Sequence, residues 1–166
     1  PALTDFVFVV DSISKMFITG PEVIKTVLGE DISMEELGGA RVHSEITGNA
    51  HFFAESEDEC FDQIKSLLSY LPWSNTDVPA RKEVLEPLEK YNISEIVPTD
   101  KRQPYDVRNV IRAVTDGSDF FEIQENWAAN MVIGFGTMNG RSVGFVANQP
   151  LVLAGVLDVD SSCKAG

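Results

Sequence analysis

The chain is poor in positive charge. Its 13 Lys and Arg stand against 26 Asp and Glu, a formal net charge of −13. No basic stripe exists to neutralise phosphates, which argues against nucleic acid as a partner. An anionic small ligand would need local help from helix N-termini or from individual Lys and Arg side chains. Cysteine is scarce too. Cys60 and Cys163 lie far apart, with neither metal spacing nor a disulfide framework. Cys60 falls on the apolar face of an expected helix, where core packing is its expected role. The two histidines, His43 and His51, come with no His-Glu-x-x-His and no Cys-x-x-Cys, so no metal is expected. A Gly-x-Ser-x-Gly elbow is missing, and no Cys–His pairing is suggested by proximity. No apolar run approaches the roughly 18 residues of a membrane span, and no basic n-region opens the chain. The setting expected is soluble and reducing: cytoplasm, or mitochondrial matrix in a eukaryote.

What is present is the composition of an ordinary globular protein, 43% hydrophobic and 23% charged over 166 residues. Length alone favours one domain. The apolar, β-branched run Phe6–Val10 suits a strand buried on both faces. Met16–Ile18 reads as a second short strand. Thr19-Gly20-Pro21-Glu22 opens a helix with an early Pro and a capping box, and Gly29 ends it. Ala50–Ala54 reads as a strand. Ser56 with Glu59 caps an amphipathic helix whose apolar face is Cys60, Phe61, Ile64, Leu67, Leu68 and Leu71, and Pro72 stops it. The acidic residues Glu35, Glu36, Glu55, Glu57, Asp58 and Glu59 read as a solvated face.

From Pro72 to Pro104 the chain is proline-rich and aperiodic, a connector draped over a surface, with a helical turn around Glu86–Lys90. Asp106 caps a helix carrying Val107, Val110, Ile111 and Val114. Phe120–Ile123 is a brief strand. Met131–Phe135 and Ser142–Ala147 flank Asn139-Gly140, the strongest short hairpin signal. That hairpin reading wins over a dinucleotide loop at Gly134-Phe135-Gly136, because no helix follows. The class is α/β.

The stretch that organises the chain is Met34-Glu35-Glu36-Leu37-Gly38-Gly39-Ala40-Arg41-Val42-His43, an acidic helical turn running into adjacent glycines. Such glycines either cap a helix before a turn or let backbone approach a ligand or other backbone closely. Upstream stands Phe17-Ile18-Thr19-Gly20-Pro21, and downstream Thr47-Gly48-Asn49-Ala50-His51-Phe52. This ordered set resembles the carboxyltransferase subunits of biotin-dependent acyl-CoA carboxylases, with propionyl-CoA carboxylase β chains and methylmalonyl-CoA decarboxylase α chains most alike. The likeness runs over essentially the whole chain.

The resemblance implies a crotonase-type (ClpP-like) fold, partial, spanning parts of two related domains. Residues 1–97 would be the second half of the acyl-CoA-binding domain with the connector, and 98–166 the start of the carboxybiotin-binding domain. The chain has no initiator Met and stops at Gly166, where a family helix would be beginning, so an internal segment of a longer subunit is expected. The implied reaction moves a carboxyl group between carboxybiotin, on its carrier protein, and the α-carbon of a short-chain acyl-CoA. Main-chain N–H groups at glycine-rich helix starts would stabilise two oxyanions without a reactive side chain. Both such elements would lie outside these residues.

Within the chain, the resemblance points to Gly38, Gly39 and Ala40 as lining the acyl pocket. Arg41 and His43 would border the CoA or biotin channel. The alternative for these five is a tight packing turn with a hydrogen-bonded core histidine. Asn148-Gln149-Pro150 either shapes the biotin side or is a plain turn. Implied partners are acyl-CoA, a biotin carboxyl carrier, biotin carboxylase or decarboxylase subunits, and further copies in a homo-oligomer, with no nucleic acid and no membrane insertion. The alternatives are a crotonase-type hydratase or isomerase, which would need an acid–base carboxylate pair not seen here, and an assembly fragment without turnover.

Overall fold

The computed structural model describes residues 3–88, 91–100 and 102–166. The chain divides into two compact units, Pro1–Ile64 and Lys65–Gly166.

In the first unit the apolar run condenses to strand β1 (Phe8–Val10), which pairs in parallel with β2 (Phe52–Ala54). Phe8 lies opposite Phe52, and their rings stack 4.5 Å apart. Parallel strands need a long crossover. Here it carries helix α1 (Pro21–Leu28), the short helix α2 (Met34–Gly38) and a π-helical turn at Val42–Ile46. The core is Val7, Val9, Ala40 and Ala50, with Phe53 packed against it. Helix α1 starts at Pro21 and ends on left-handed Gly29 (φ 76°), as expected, but its N-cap is Gly20 and no side chain caps it. The Thr19–Glu22 capping box therefore does not form. The expected strand at Met16–Ile18 reduces to a single bridge between Lys15 and Gly39. Ile18 is fully exposed with no strand beside it, because the chain turns at once into α1.

Helix α3 (Glu57–Tyr70) contains the division between the units. The Ser56 hydroxyl accepts from Glu59 N–H at 3.2 Å, while the Glu59 carboxylate accepts from Glu55 N–H at 2.8 Å, one residue before the position a capping box uses. Of the expected apolar face only Leu67 is buried, joined by Tyr70; Phe61 and Leu68 are 58% and 50% exposed. Cys60 is half-buried and not a core residue. Periodicity shows which face is apolar but not what covers it.

The second unit is built on an antiparallel sheet, β3 (Phe120–Ile123), β4 (Met131–Met138) and β5 (Arg141–Asn148), in that order. The hairpin closes on Asn139 and Gly140 with φ 51° and 73°, and Met138 pairs with Arg141. This is the two-residue turn with both φ positive that Asn-Gly favours. Asp116 reinforces it, its carboxylate accepting from Asn139 N–H at 3.0 Å and Gly140 N–H at 2.7 Å. Helix α5 (Val107–Val114) begins at Asp106, whose side chain accepts from Arg108 N–H.

The connector hydrogen-bonds along this unit. Lys82 N–H donates to Gly140 O, Gly117 N–H to Leu85 O, and Leu88 N–H to the Ser118 hydroxyl. A surface-draped connector is what the sequence suggested. Its helical turn lies elsewhere: Glu86–Leu88 are not helical, Glu89 and Lys90 fall outside the described residues, and α4 is Ile93–Ile96, started by the Asn92 side chain accepting from Ser94 N–H. Helix α6 (Val159–Ala165) closes the chain behind a capping box of Asp158 and Ser161. Among the described residues no helix is long and apolar enough to cross a membrane.

Candidate functional site

The glycine stretch follows the acidic helical turn read from the sequence, started by a Ser33 cap that was not read. The Ser33 hydroxyl accepts from Glu36 N–H at 3.2 Å, and the Glu36 carboxylate accepts from Ser33 N–H at 3.0 Å. The Ser33 hydroxyl, which also donates to the Glu36 carboxylate at 2.6 Å, and then the Ser33 N–H hold that carboxyl below the usual carboxylate range. Helix α2 then runs into Gly38 and Gly39, but neither glycine is left-handed; Gly39 is extended at φ −71° and ψ 173°. A left-handed C-cap is therefore not why they are glycines. Close approach is. A Cβ on Gly38 would run into the Met16 main-chain carbonyl, and one on Gly39 into Glu35. Met16 N–H donates to Gly38 O at 2.8 Å, so residues 15 and 16 lie hard against this backbone. Gly39 N–H is spent on Glu35 O, and Ala40 is fully buried.

His43, 8% exposed, locks the same contact from its other side. Its Nε2 lies 2.6 Å from Met16 O and its Nδ1 3.1 Å from the Thr47 hydroxyl. A carbonyl can only accept, so Nε2 carries a proton, and in the neutral ring Nδ1 then accepts from the Thr47 hydroxyl. The histidine lines a cleft of about 210 Å³ with Val7, Phe8, Val9, Ser14, Lys15 and Met16. Arg41 points away into ion pairs, 2.9 Å to Asp11 and 3.3 Å to Glu45, with its guanidinium 4.9 Å over the Phe53 ring. The Asp11 hydrogen bond and charge raise its pKa further. The structure thus gathers Gly38, Gly39, Ala40 and His43 around one backbone contact, and sets Arg41 on a separate ion pair. The i, i+4 spacing of His43 and Thr47 was readable; the Met16 and Asp11 partners, far off in sequence, were not.

No side chain here is poised for acid–base or nucleophilic work. Partial burial, then Glu57 and Glu59, push the Cys60 thiol up, away from the reactive thiolate. His51 is depressed by burial, and its Nδ1 accepts from Val7 N–H at 3.0 Å. Among the described residues no group of His, Cys, Asp and Glu could hold a metal ion.

In the second unit the polar side chains pin segments. Gln149, with no exposed surface, donates to the Asp106 carboxylate at 2.6 Å and accepts from Val107 N–H at 3.2 Å, tying the end of β5 to the start of α5. Gln149 O also accepts from Val152 N–H at 3.1 Å, so Asn148-Gln149-Pro150 does enter a turn, and the Gln149 side chain makes that turn an anchor as well. Arg108 grips Glu122 through two bonds of 2.6 and 2.7 Å. The Tyr70 hydroxyl donates to Asp119 at 2.6 Å, and burial with that carboxylate pushes the phenol well above its ordinary range.

Comparison with known proteins fixes the family. The model of the carboxyl transferase domain matches residues 1–166. The carboxyltransferase subunit of propionyl-CoA carboxylase from Haloferax mediterranei is 50% identical over 166 residues, 99% of this chain and 32% of its own length. The alpha subunit of methylmalonyl-CoA decarboxylase from Veillonella parvula is 44% identical over 167 residues, 99% of this chain and 33% of its own. Transcarboxylase 12S, solved as a hexamer assembly with methylmalonyl-CoA and methylmalonic acid bound, superposes with a TM-score of 0.90 at 46% identity, over 99% of this chain and 32% of that one. The fold is accordingly the crotonase-type α/β fold of carboxyltransferases. The chain spans about a third of the length of the curated relatives it matches. It belongs to the carboxyl transferase domain family.

Proposed function

We propose that this chain serves carboxyl transfer between carboxybiotin and the α-carbon of a short-chain acyl-CoA of the propionyl or methylmalonyl type, as one segment of a carboxyltransferase subunit. The observation that carries the reading is the family match over residues 1–166, joined to relatives named for propionyl-CoA and methylmalonyl-CoA at 50% and 44% identity. The lack of a nucleophile or acid–base pair in the described residues supports it, because this chemistry asks the protein for position and fixed dipoles.

On this reading residues 1–97 belong to the acyl-CoA side and 98–166 to the carboxybiotin side. The connector hydrogen-bonds with the second unit, so that boundary would separate sequence patterns and not contact clusters. His43 lines the cleft beside β1, and the Gly38–Ala40 backbone packs behind its Met16 and His43 wall, so that an acyl group can sit on Val7 and Val9 out of water. They act by shape: the main-chain N–H of Gly39 is already bonded to Glu35 O and does not serve as an oxyanion donor. Arg41, held by Asp11 and Glu45, borders that wall and keeps the π-helical turn in place. Carboxybiotin, bound on its carrier, supplies the carboxyl group. The second unit offers it the rigid end of β5, where Gln149 fixes the backbone after Asn148. Carrier and biotin carboxylase or decarboxylase subunits, further copies of the subunit, and a cytoplasmic or mitochondrial-matrix site follow from the same reading.

A segment exchange tests it. The matching third of the Haloferax mediterranei subunit is replaced by these 166 residues, and carboxyl transfer from carboxybiotin to propionyl-CoA is measured. Retained transfer supports the reading; a folded chimera that binds propionyl-CoA but transfers nothing refutes it. The 166 residues alone are expected to be inactive, since loss of even one oxyanion donor costs about 10²–10³ in rate.

A further inference from the structure

Lys164, on α6, is only 5% exposed, yet its side chain ends on main-chain carbonyls and not on a carboxylate. Its ammonium donates to Gln124 O at 2.8 Å, Trp127 O at 2.7 Å and Ala128 O at 3.5 Å. Glu122, whose charge reaches Lys164, is committed to Arg108. Burying a lysine this way is costly. Burial pushes its pKa down to about 8, so it remains charged at neutral pH. The three carbonyls belong to the connection between β3 and β4, which holds two left-handed non-glycine residues, Gln124 at φ 53° and Ala128 at φ 44°.

That connection is tied onward. Asn130, at its end, donates from its side chain to Val156 O at 2.8 Å, and its own carbonyl accepts from Gln149 N–H at 2.9 Å. Val156 follows Leu153, Ala154 and Gly155, three successive residues at φ 48°, 52° and 71°. Consecutive left-handed residues are strained and persist only where surrounding contacts over-determine them. Asn148 holds Gly155 O at 2.7 Å from within the segment. The chain then enters α6, which returns to Lys164.

We infer that Lys164 is a positioning residue: the clasp of a closed ring in which α6 holds the β3–β4 connection, the connection holds residues 149–156, and those lead back into α6. The left-handed turn at Leu153–Gly155, which Lys164 does not touch, keeps its conformation because the ring is closed. This goes beyond the functional reading above, and its test reads the ring rather than turnover, so either can fail alone.

The test is amide hydrogen exchange on the 166-residue chain with Lys164→Met, which keeps the aliphatic stem and removes the donors. Charged hydrogen bonds are worth enough that exchange at Gly155 and Val156 should quicken roughly ten- to a hundredfold, together with Trp127 and Met131, while the β4–β5 ladder keeps its protection. Asn130→Ala, which opens the ring at a second point, should give the same pattern, and the double variant should fall short of the product of the two effects. Lys164→Gln, which restores two donors, should recover part of the protection. Faster exchange confined to residues 125–131, with Gly155 and Val156 unchanged, would overturn the ring, as would unchanged exchange throughout in Lys164→Met. If Lys164→Met does not fold, the same comparison on Lys164→Gln and Asn130→Ala decides.

Discussion

The two units hold themselves together by different means. In the first, the decisive contacts are made by backbone that glycine allows to approach: Gly38 against Met16, with His43 bonded to the same carbonyl. In the second, buried and half-buried polar side chains do the holding: Arg108 on Glu122, Gln149 on Asp106, Lys164 on three carbonyls. The first unit should tolerate charge removal and the second should not, whereas added volume should hurt both, since a Cβ on Gly134 or Gly140 would meet the Phe121 or Lys82 main-chain carbonyl.

That contrast can be broken by substitution. The largest loss of stability is expected from Arg108→Met, which leaves Glu122, 8% exposed at its side chain, charged and unpaired. Removing one partner of a buried pair costs about 3–5 kcal/mol, and the lower end applies because Arg108 is partly exposed. Chemical denaturation of the 166-residue chain would read it. A loss below that of an ordinary surface pair would show that solvent shields Glu122 and that the polar network is not what holds the unit.

Gly38→Val comes next. Its side chain meets a main-chain carbonyl that cannot rotate away, and overpacking of this sort costs roughly 1–3 kcal/mol. Gly39→Val should cost less: it too meets main chain, the Glu35 carbonyl, but less closely than Gly38→Val meets Met16, and the rest of its clash is with a Glu35 side chain that can swing aside. A reversed order of the two melting temperatures would contradict close approach at Met16 as the reason for the first glycine. The smallest effect belongs to Arg41→Met. Its ion pairs are exposed, 57% at the Arg41 side chain, and such pairs are worth about 0–1 kcal/mol. A shift in melting temperature as large as that of Gly38→Val would mean that charge matters in the first unit after all.

The same contrast explains what could be read in advance. The hairpin at Asn139-Gly140, the cap at Asp106 and the ends of α1 at Pro21 and Gly29 were legible, since each rests on residues a few positions apart. The α/β class and the family-bearing motifs were legible as well. The reason for Gly38 and Gly39 was not. Adjacent glycines suggest either a positive φ or close approach, and only the distant Met16 decides between them. Met16–Ile18 has strand-forming residues but no strand to pair with, so propensity misled. The apolar face of α3 was identified, yet Phe61 and Leu68 are exposed. The ring around Lys164 left no local sign, because its members come from residues 124–130, 148–156 and 164.

On the proposed function the stretch from Gly38 to His43 serves the acyl-CoA side of a carboxyltransferase and is more than a packing turn. Gly39→Val in the segment-exchanged subunit tests it most directly. The substitution displaces Glu35, which pairs with Lys15 at 3.3 Å, and Lys15 lines the cleft with His43. Melting temperature and kcat/KM for propionyl-CoA are measured on one preparation. The expected result is a loss of catalytic efficiency per folded subunit well beyond what the change in stability explains. Full specific activity per folded subunit, with only the melting temperature lowered, would contradict it.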